Sequence, residues 1–256
     1  MGVTVDLGDD HVATVTISRP PENFFDLELV TELADAFDEL DRTPDCRAIV
    51  LRGAGKHFCA GAKFASDGDD VIASADGERN PLYAQAVRLV GGRVPVVAAV
   101  QGAAIGGGLG LAMVADFRFG APEARFAANF ARLGLHHGFG LTVTLPAVVG
   151  QQRALDLLYT GRRVRGEEAL EIGLVDRLVS ADRLLDEARA YAAEIAGSAP
   201  LAVREIRATM RGDLAERLRA ATDREHQTQR MLRDTRDFTE GVGAYAERRP
   251  PRFEAR

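Results

Sequence analysis

An α/β fold is predicted by three features of the sequence. Two continuous apolar runs, Ala48-Ile49-Val50-Leu51 and Val94-Pro95-Val96-Val97-Ala98-Ala99-Val100, are bounded by charged or turn residues; apolar positions at helical spacing lie around them; and a glycine-rich turn follows each run. Runs of this kind mark strands covered on both faces, and strands alternating with helices build a largely parallel sheet.

The elements follow in chain order. Val3 to Leu7 and Val12 to Ile17 alternate apolar with polar or small residues about Gly8-Asp9-Asp10, which predicts a hairpin. Leu27, Val30, Leu33, Phe37 and Leu40 recur at helical spacing. The strand from Ala48 to Leu51 comes next, then a helix about Ala84 to Leu89. The strand from Val94 to Val100 carries its proline near the entry, where a missing N–H does least harm. Between strand and helix, Ala65 to Asn80 (ASDGDDVIASADGERN) is polar and is expected to be a mobile loop. From about residue 181 the pattern turns helical: Leu184, Ala188, Tyr191 and Ile195 form one stripe, and 201–210, 214–230 and 238–247 continue it. Alternating Arg with Asp or Glu over 217–237 makes a charged helical face, solvated or in contact with another subunit.

Composition narrows the function. The chain has 256 residues, 46% apolar and 27% charged, enough for one large core or a core with an appendage. A net charge of −6 without any block of like charges gives no footprint for nucleic acid and no polybasic patch for a membrane. Two cysteines, Cys46 and Cys59, exclude a disulfide framework and a four-cysteine zinc site, and they suit a reducing compartment. The start of the chain lacks a basic segment followed by an apolar one, and no apolar run is long enough to span a bilayer, so the cytoplasm is the expected location.

Several familiar chemistries are absent. Glycine spacing from Gly106 fails the dinucleotide fingerprint at Leu111, and no Walker pattern exists. The five histidines form no zinc-protease motif, and no G-x-S-x-G elbow is present. What remains is backbone chemistry. GAAIGGG opens an apolar helix, and RGAGKHFCAGAKF follows the Ala48–Leu51 strand. Glycine lets a ligand oxygen approach helix-start N–H groups without a Cβ in the way. Two convergent amides, each about 3 Å from a thioester oxygen, stabilise an enolate by a few kcal/mol.

Five stretches in order, VATVTISRP, IVLRGAGKHFCAGAKF, VQGAAIGGGLGLAMVADFRFG, GEEALEIGLVDRLV and DFTEGVGAYAERRPPRF, resemble the crotonase (enoyl-CoA hydratase/isomerase) superfamily over nearly the whole chain. The resemblance implies a spiral of β-β-α units over 1–195 and a helical trimerisation region over 196–256. It implies a homotrimer or dimer of trimers acting on an acyl-CoA thioester, with coenzyme A as part of the substrate, no covalently bound cofactor and no metal. It places the oxyanion-hole amides at Ala62 and Gly107, with Ala60 and Lys63 beside the ligand. Tyr245 and Arg248 match places where relatives reach a neighbouring subunit's coenzyme A, Arg248 toward a phosphate.

The chain also departs from that pattern. Hydratases of the superfamily carry one catalytic Glu two residues beyond the glycine triplet and another about twenty residues later; these positions are Gly110 and Phe130 here. Neither side chain carries a proton, so the two-carboxylate hydration mechanism does not transfer, nor does the isomerase version. His136 and His137 lie in the loop that the family sets beneath the acyl group, and imidazole titrates near neutrality, so His137 or His136 is the expected acid/base. A dehalogenase of the superfamily uses an Asp one residue beyond the place of His137, and that residue is Gly138. Asp116 and Glu123 match structural positions. The expected function is an acyl-CoA enzyme of the hydratase/isomerase type; a hydrolase or C–C lyase of the same superfamily and a silent acyl-CoA-binding protein are the alternatives.

Overall fold

Residues 2–62 and 80–256 are described by a computed structural model. Strands β1 (Val3–Leu7) and β2 (Val12–Ile17) pair antiparallel with Val3 opposite Ile17, so the hairpin forms with its expected bounds. Helix α1 (Leu27–Arg42) is capped by Asp26, whose carboxylate accepts from Leu29 N–H at 2.9 Å, and its stripe Leu29, Val30, Leu33, Phe37 and Leu40 is buried. Of the five residues expected at helical spacing, Val30, Leu33, Phe37 and Leu40 are buried, while Leu27, in the first turn, is half-buried and Leu29 takes its place on the buried face.

Strand β3 (Ala48–Gly53) joins β2 in parallel, and β4 (Val96–Val100) joins β3. β4 starts two residues later than expected, because the Pro95 carbonyl accepts from Ile49 N–H and the Asp116 carboxylate takes the Val96 N–H at 2.8 Å. Between them runs α2 (Pro81–Gly91), which starts earlier than the apolar spacing alone suggests: Asn80 caps it and Pro81 opens it. Asn80 is the last residue of the expected mobile loop; the rest of that loop, 65–79, lies outside the described residues.

After β4 come β5 (Ala103–Ile105), α3 (Gly107–Ala112), β6 (Phe117–Gly120) and β7 (Arg125–Ala127). A 3₁₀ turn, Asn129–Leu133, leads to α4 (Leu141–Val149), α5 (Gln151–Thr160), β8 (Val164–Arg165), α6 (Gly166–Glu171) and β9 (Arg177–Leu178). The main sheet has the order β1-β2-β3-β4-β6-β9, parallel from β2 onward, and β5-β7-β8 form a second sheet. The chain thus rises through the main sheet and drops into the smaller one, which brings the turns after β3 and β5 together.

Four helices close the chain: α7 (Leu184–Ala196), α8 (Pro200–Arg211), α9 (Leu214–Arg233) and α10 (Arg236–Ala246). α7 covers β2, β3 and β4; α9 packs on α2 and α4; α10 packs on the 3₁₀ turn. α8 is tied down by Asp116, whose oxygens accept from Arg207 Nε at 2.9 Å and Arg211 Nε at 2.9 Å. Burial pushes the Asp116 carboxyl up, and the two guanidinium groups outweigh it and hold the carboxyl below its ordinary value. Asp116 is thus a structural anchor. Among the described residues, no helix is long and apolar enough to cross a membrane.

Candidate active site

The turn after β3 is held by its own backbone. Buried Asn23 donates from Nδ2 to the carbonyls of Ala54 (2.8 Å) and His57 (2.7 Å), while Phe58 N–H reaches Gln101 O and Ala60 N–H reaches Glu22 O. Cys59 then bridges to Ala104: its N–H donates to Ala103 O at 2.9 Å and its carbonyl accepts from Ile105 N–H at 3.1 Å. This short ladder pins the turn to β5. Gly61, at φ +92°, bends the chain into Ala62, a conformation that favours glycine.

These bonds leave the Ala62 and Gly107 amides without an acceptor among the described residues. Gly107 is buried and Ala62 half-buried, so these two N–H groups can each meet an acceptor from the cavity side. Ala60, Gly61, Ala62, Ile105, Gly106 and Gly107 all line a cavity of about 160 Å³. Gly107 begins α3, and a Cβ there would overlap the Phe25 ring. Only glycine brings this amide to the wall. Because α3 has just six residues, the amide itself, more than a summed helix dipole, carries the polarity.

Rings fill the space at 110 and 130, the two positions where the resemblance expects acids. A Cβ on Gly110 would lie 2.7–2.9 Å from Phe139, whose ring occupies that space. Phe139 sits at φ +60°, unusual for a bulky residue, and meets Phe25 edge-on at 5.8 Å between centroids. Phe130 lines the cavity itself. At Gly138 a Cβ would overlap the Tyr83 hydroxyl. Tyr83, Phe139, Asn80 and Gln229 line the cavity and escaped the sequence reading, since each is brought there by contacts distant in sequence. A readable signal existed only for Asn80, in the Asn80-Pro81 helix start.

His136 and His137 stand outside the lining residues. Their rings stack at 4.0 Å, and His136 Nδ1 donates to the His137 carbonyl at 2.7 Å. Glu225, fully buried on α9, accepts from Gly140 N–H, Thr142 N–H and Thr142 Oγ1–H, the last at 2.6 Å. The Thr142 proton being spent on Glu225, its oxygen accepts from His137 Nε2 at 2.8 Å. Burial, aided by His136, lowers the His137 pKa to about 4, so the ring is neutral. Burial raises the Glu225 carboxyl, opposed by the three hydrogen bonds. This network holds the loop from 136 to 142 against α9.

Of the other expected contacts, Tyr245 lines the cavity of its own chain and is half exposed, while Arg248 is exposed and away from the lining residues. Lys63 lies outside the described residues.

The model of the enoyl-CoA hydratase/isomerase family matches residues 8–256. A probable enoyl-CoA hydratase of Mycobacterium bovis is 35% identical over 246 residues, 96% of this chain and 95% of that protein. The (E)-benzylidenesuccinyl-CoA hydratase of Thauera aromatica is 34% identical over 260 residues, 99% of each. A solved enoyl-CoA hydratase/isomerase of Pseudoalteromonas atlantica superposes with a TM-score of 0.87 at 30% identity, covering 99% of this chain and 100% of that one.

Proposed function

The chain belongs to the enoyl-CoA hydratase/isomerase family, and from that premise we propose that it polarises an acyl-CoA thioester between the Ala62 and Gly107 amides and passes through an enolate. The observation that carries this reading is the pair of unspent amides on one wall of a cavity lined otherwise by aromatic and aliphatic side chains with Asn80, Asn129 and Gln229. A thioester oxygen held by both gains charge as the enolate forms, and a dry cavity strengthens each bond. Coenzyme A belongs to the substrate, with its nucleotide outside the cavity; the exposure of Arg248 supports a contact there with a phosphate. The Tyr245 side chain closes the same chain's acyl cavity.

No carboxylate lines the cavity among the described residues, so the two-Glu route is not the chemistry proposed. His136 and His137 act through Glu225 and Gln229 on the shape of the loop, without touching the thioester. That same lack of a carboxylate supports a second reading, acyl-CoA binding without turnover. Exposed Leu201, Ile206 and Met210 on α8 support assembly into a trimer or dimer of trimers, which sedimentation measures directly.

The test of polarisation needs no knowledge of the natural substrate. Cinnamoyl-CoA bound to the protein should absorb at longer wavelength than free cinnamoyl-CoA, and coenzyme A alone should give no such change. An unshifted spectrum at saturation sinks the proposal. A shift without turnover of crotonyl-CoA, β-keto or aromatic acyl-CoAs supports the silent binder.

A further inference from the structure

Two ionisable side chains line the cavity among the described residues, Tyr83 and Tyr245. Tyr245 is half exposed, whereas Tyr83 is 8% exposed. Its hydroxyl donates to Gln229 Oε1 at 2.7 Å, and Gln229 Nε2 donates to the His136 carbonyl at 2.9 Å. The second bond fixes the amide so that its oxygen faces the phenol, which makes Tyr83 the donor. Its ring meets His226 edge-on at 6.5 Å, which fixes the ring plane. Glycine at 138 leaves the hydroxyl room, since a Cβ would overlap it. A proton donor therefore stands where a side chain at 138 would begin.

Building on the thioester reading above, we propose that Tyr83 is the catalytic residue that protonates the enolate at Cα, serving alone in the addition of water to an enoyl-CoA. Water's oxygen forms its bond to Cβ, and the Cα–Cβ π pair moves toward the thioester oxygen held by Ala62 and Gly107. The Tyr83 Oη–H turns from Gln229 Oε1 toward the cavity about the Cζ–Oη bond, and the enolate pair takes that proton: the Cα–H bond forms and the O–H bond breaks. The phenolate recovers a proton from the added water, so the hydroxyl stays on Cβ and the tyrosine ends unchanged. A thioester enolate is a far stronger base than a phenolate, so the transfer runs downhill. Burial, with Glu225 adding to it, raises the Tyr83 pKa and keeps the phenol protonated between turnovers. Because one oxygen gives a proton to Cα and takes one from the added water, the new Cα–H and Cβ–OH bonds form on the same face of the double bond.

The experiment compares wild type, Tyr83→Phe and Gln229→Leu with crotonyl-CoA and cinnamoyl-CoA. Wild type should hydrate at least one of them. In Tyr83→Phe, kcat should fall by about 10²–10⁴-fold with KM little changed. The absorbance change of bound cinnamoyl-CoA should persist there, showing that the variant is folded and still polarises the thioester. In D₂O, wild-type product should carry deuterium on one face of Cα, and residual product of Tyr83→Phe on both. Gln229→Leu, which leaves the phenol but not its aim, should show a smaller loss of kcat. Full activity in Tyr83→Phe overturns the assignment, and so does a wild type that polarises cinnamoyl-CoA yet hydrates neither probe. A wild type without the absorbance change overturns the thioester reading itself.

Discussion

One wall of the cavity, the Ala62 and Gly107 turns, presents backbone amides, and the other, Phe25, Phe130, Phe139 and Tyr83, presents rings. The first depends on what is missing: side chains at 61 and 107 and, among the described residues, competing acceptors for two N–H groups. The second depends on what fills space, since the ring of Phe139 lies against Gly110 and Phe130 lines the cavity. The difference separates two tasks of one enzyme family. Holding the thioester oxygen needs only a fixed backbone; moving protons needs a side chain, and that part changes when one residue changes.

The largest expected effect breaks the backbone wall. Ala62→Pro removes one amide proton and should cost about 10²–10³-fold in turnover, roughly 3–4 kcal/mol, with loss of most of the cinnamoyl-CoA absorbance change. Activity at the wild-type level would show that this amide plays no part.

Next comes the loop behind the ring wall. His137 has a pKa of about 4 in the fold against 6.5 for the free side chain. Its contribution to stability is complete above about pH 6.5 and is lost as pH falls through 4, about 3 kcal/mol in all. Glu225, raised in the fold, shifts the balance the other way on acidification, so the His137 share is read as the difference between wild type and His137→Asn in urea melts at pH 7 and pH 4. The variant should lose less stability than wild type between those values.

Smaller is the cost of restoring an acid. Gly110→Glu drives a Cβ into Phe139 and should destabilise by about 1–3 kcal/mol. Combining it with Phe139→Ala should be less harmful than the two single losses added, because the ring is the obstacle; additive melting shifts would place the obstacle elsewhere. The smallest effect concerns Cys59, fully buried with its thiol pushed up to about 12 by that burial. Iodoacetamide should leave it unmodified at neutral pH in the folded protein, as mass spectrometry would show.

The long periodic elements were legible in the sequence because a strong period survives any tertiary context. The hairpin of β1 and β2 and the stripe of α1 are examples. The strands β5, β7, β8 and β9 were not, because two or three residues carry no period; they exist through pairing with partners set elsewhere. α4 was hidden by an apolar run with Pro146 inside it. At the site, the glycines and their turns were readable as bare backbone. That Phe139 stands over Gly110, or that Tyr83 reaches past Gly138 to Gln229, depends on α2, α9 and the loop meeting in space, and no local pattern encodes that meeting.

One feature bears on how the molecule comes into being. Gln229 and Tyr245 line the cavity from α9 and α10, the last two helices. A ribosome releases them after every strand of both sheets, so the nascent chain holds its glycine turns long before it has a finished acyl cavity. The cavity is complete only once α9 and α10 have followed both sheets, and a chain cut short before α9 would carry the amides with an unfinished wall.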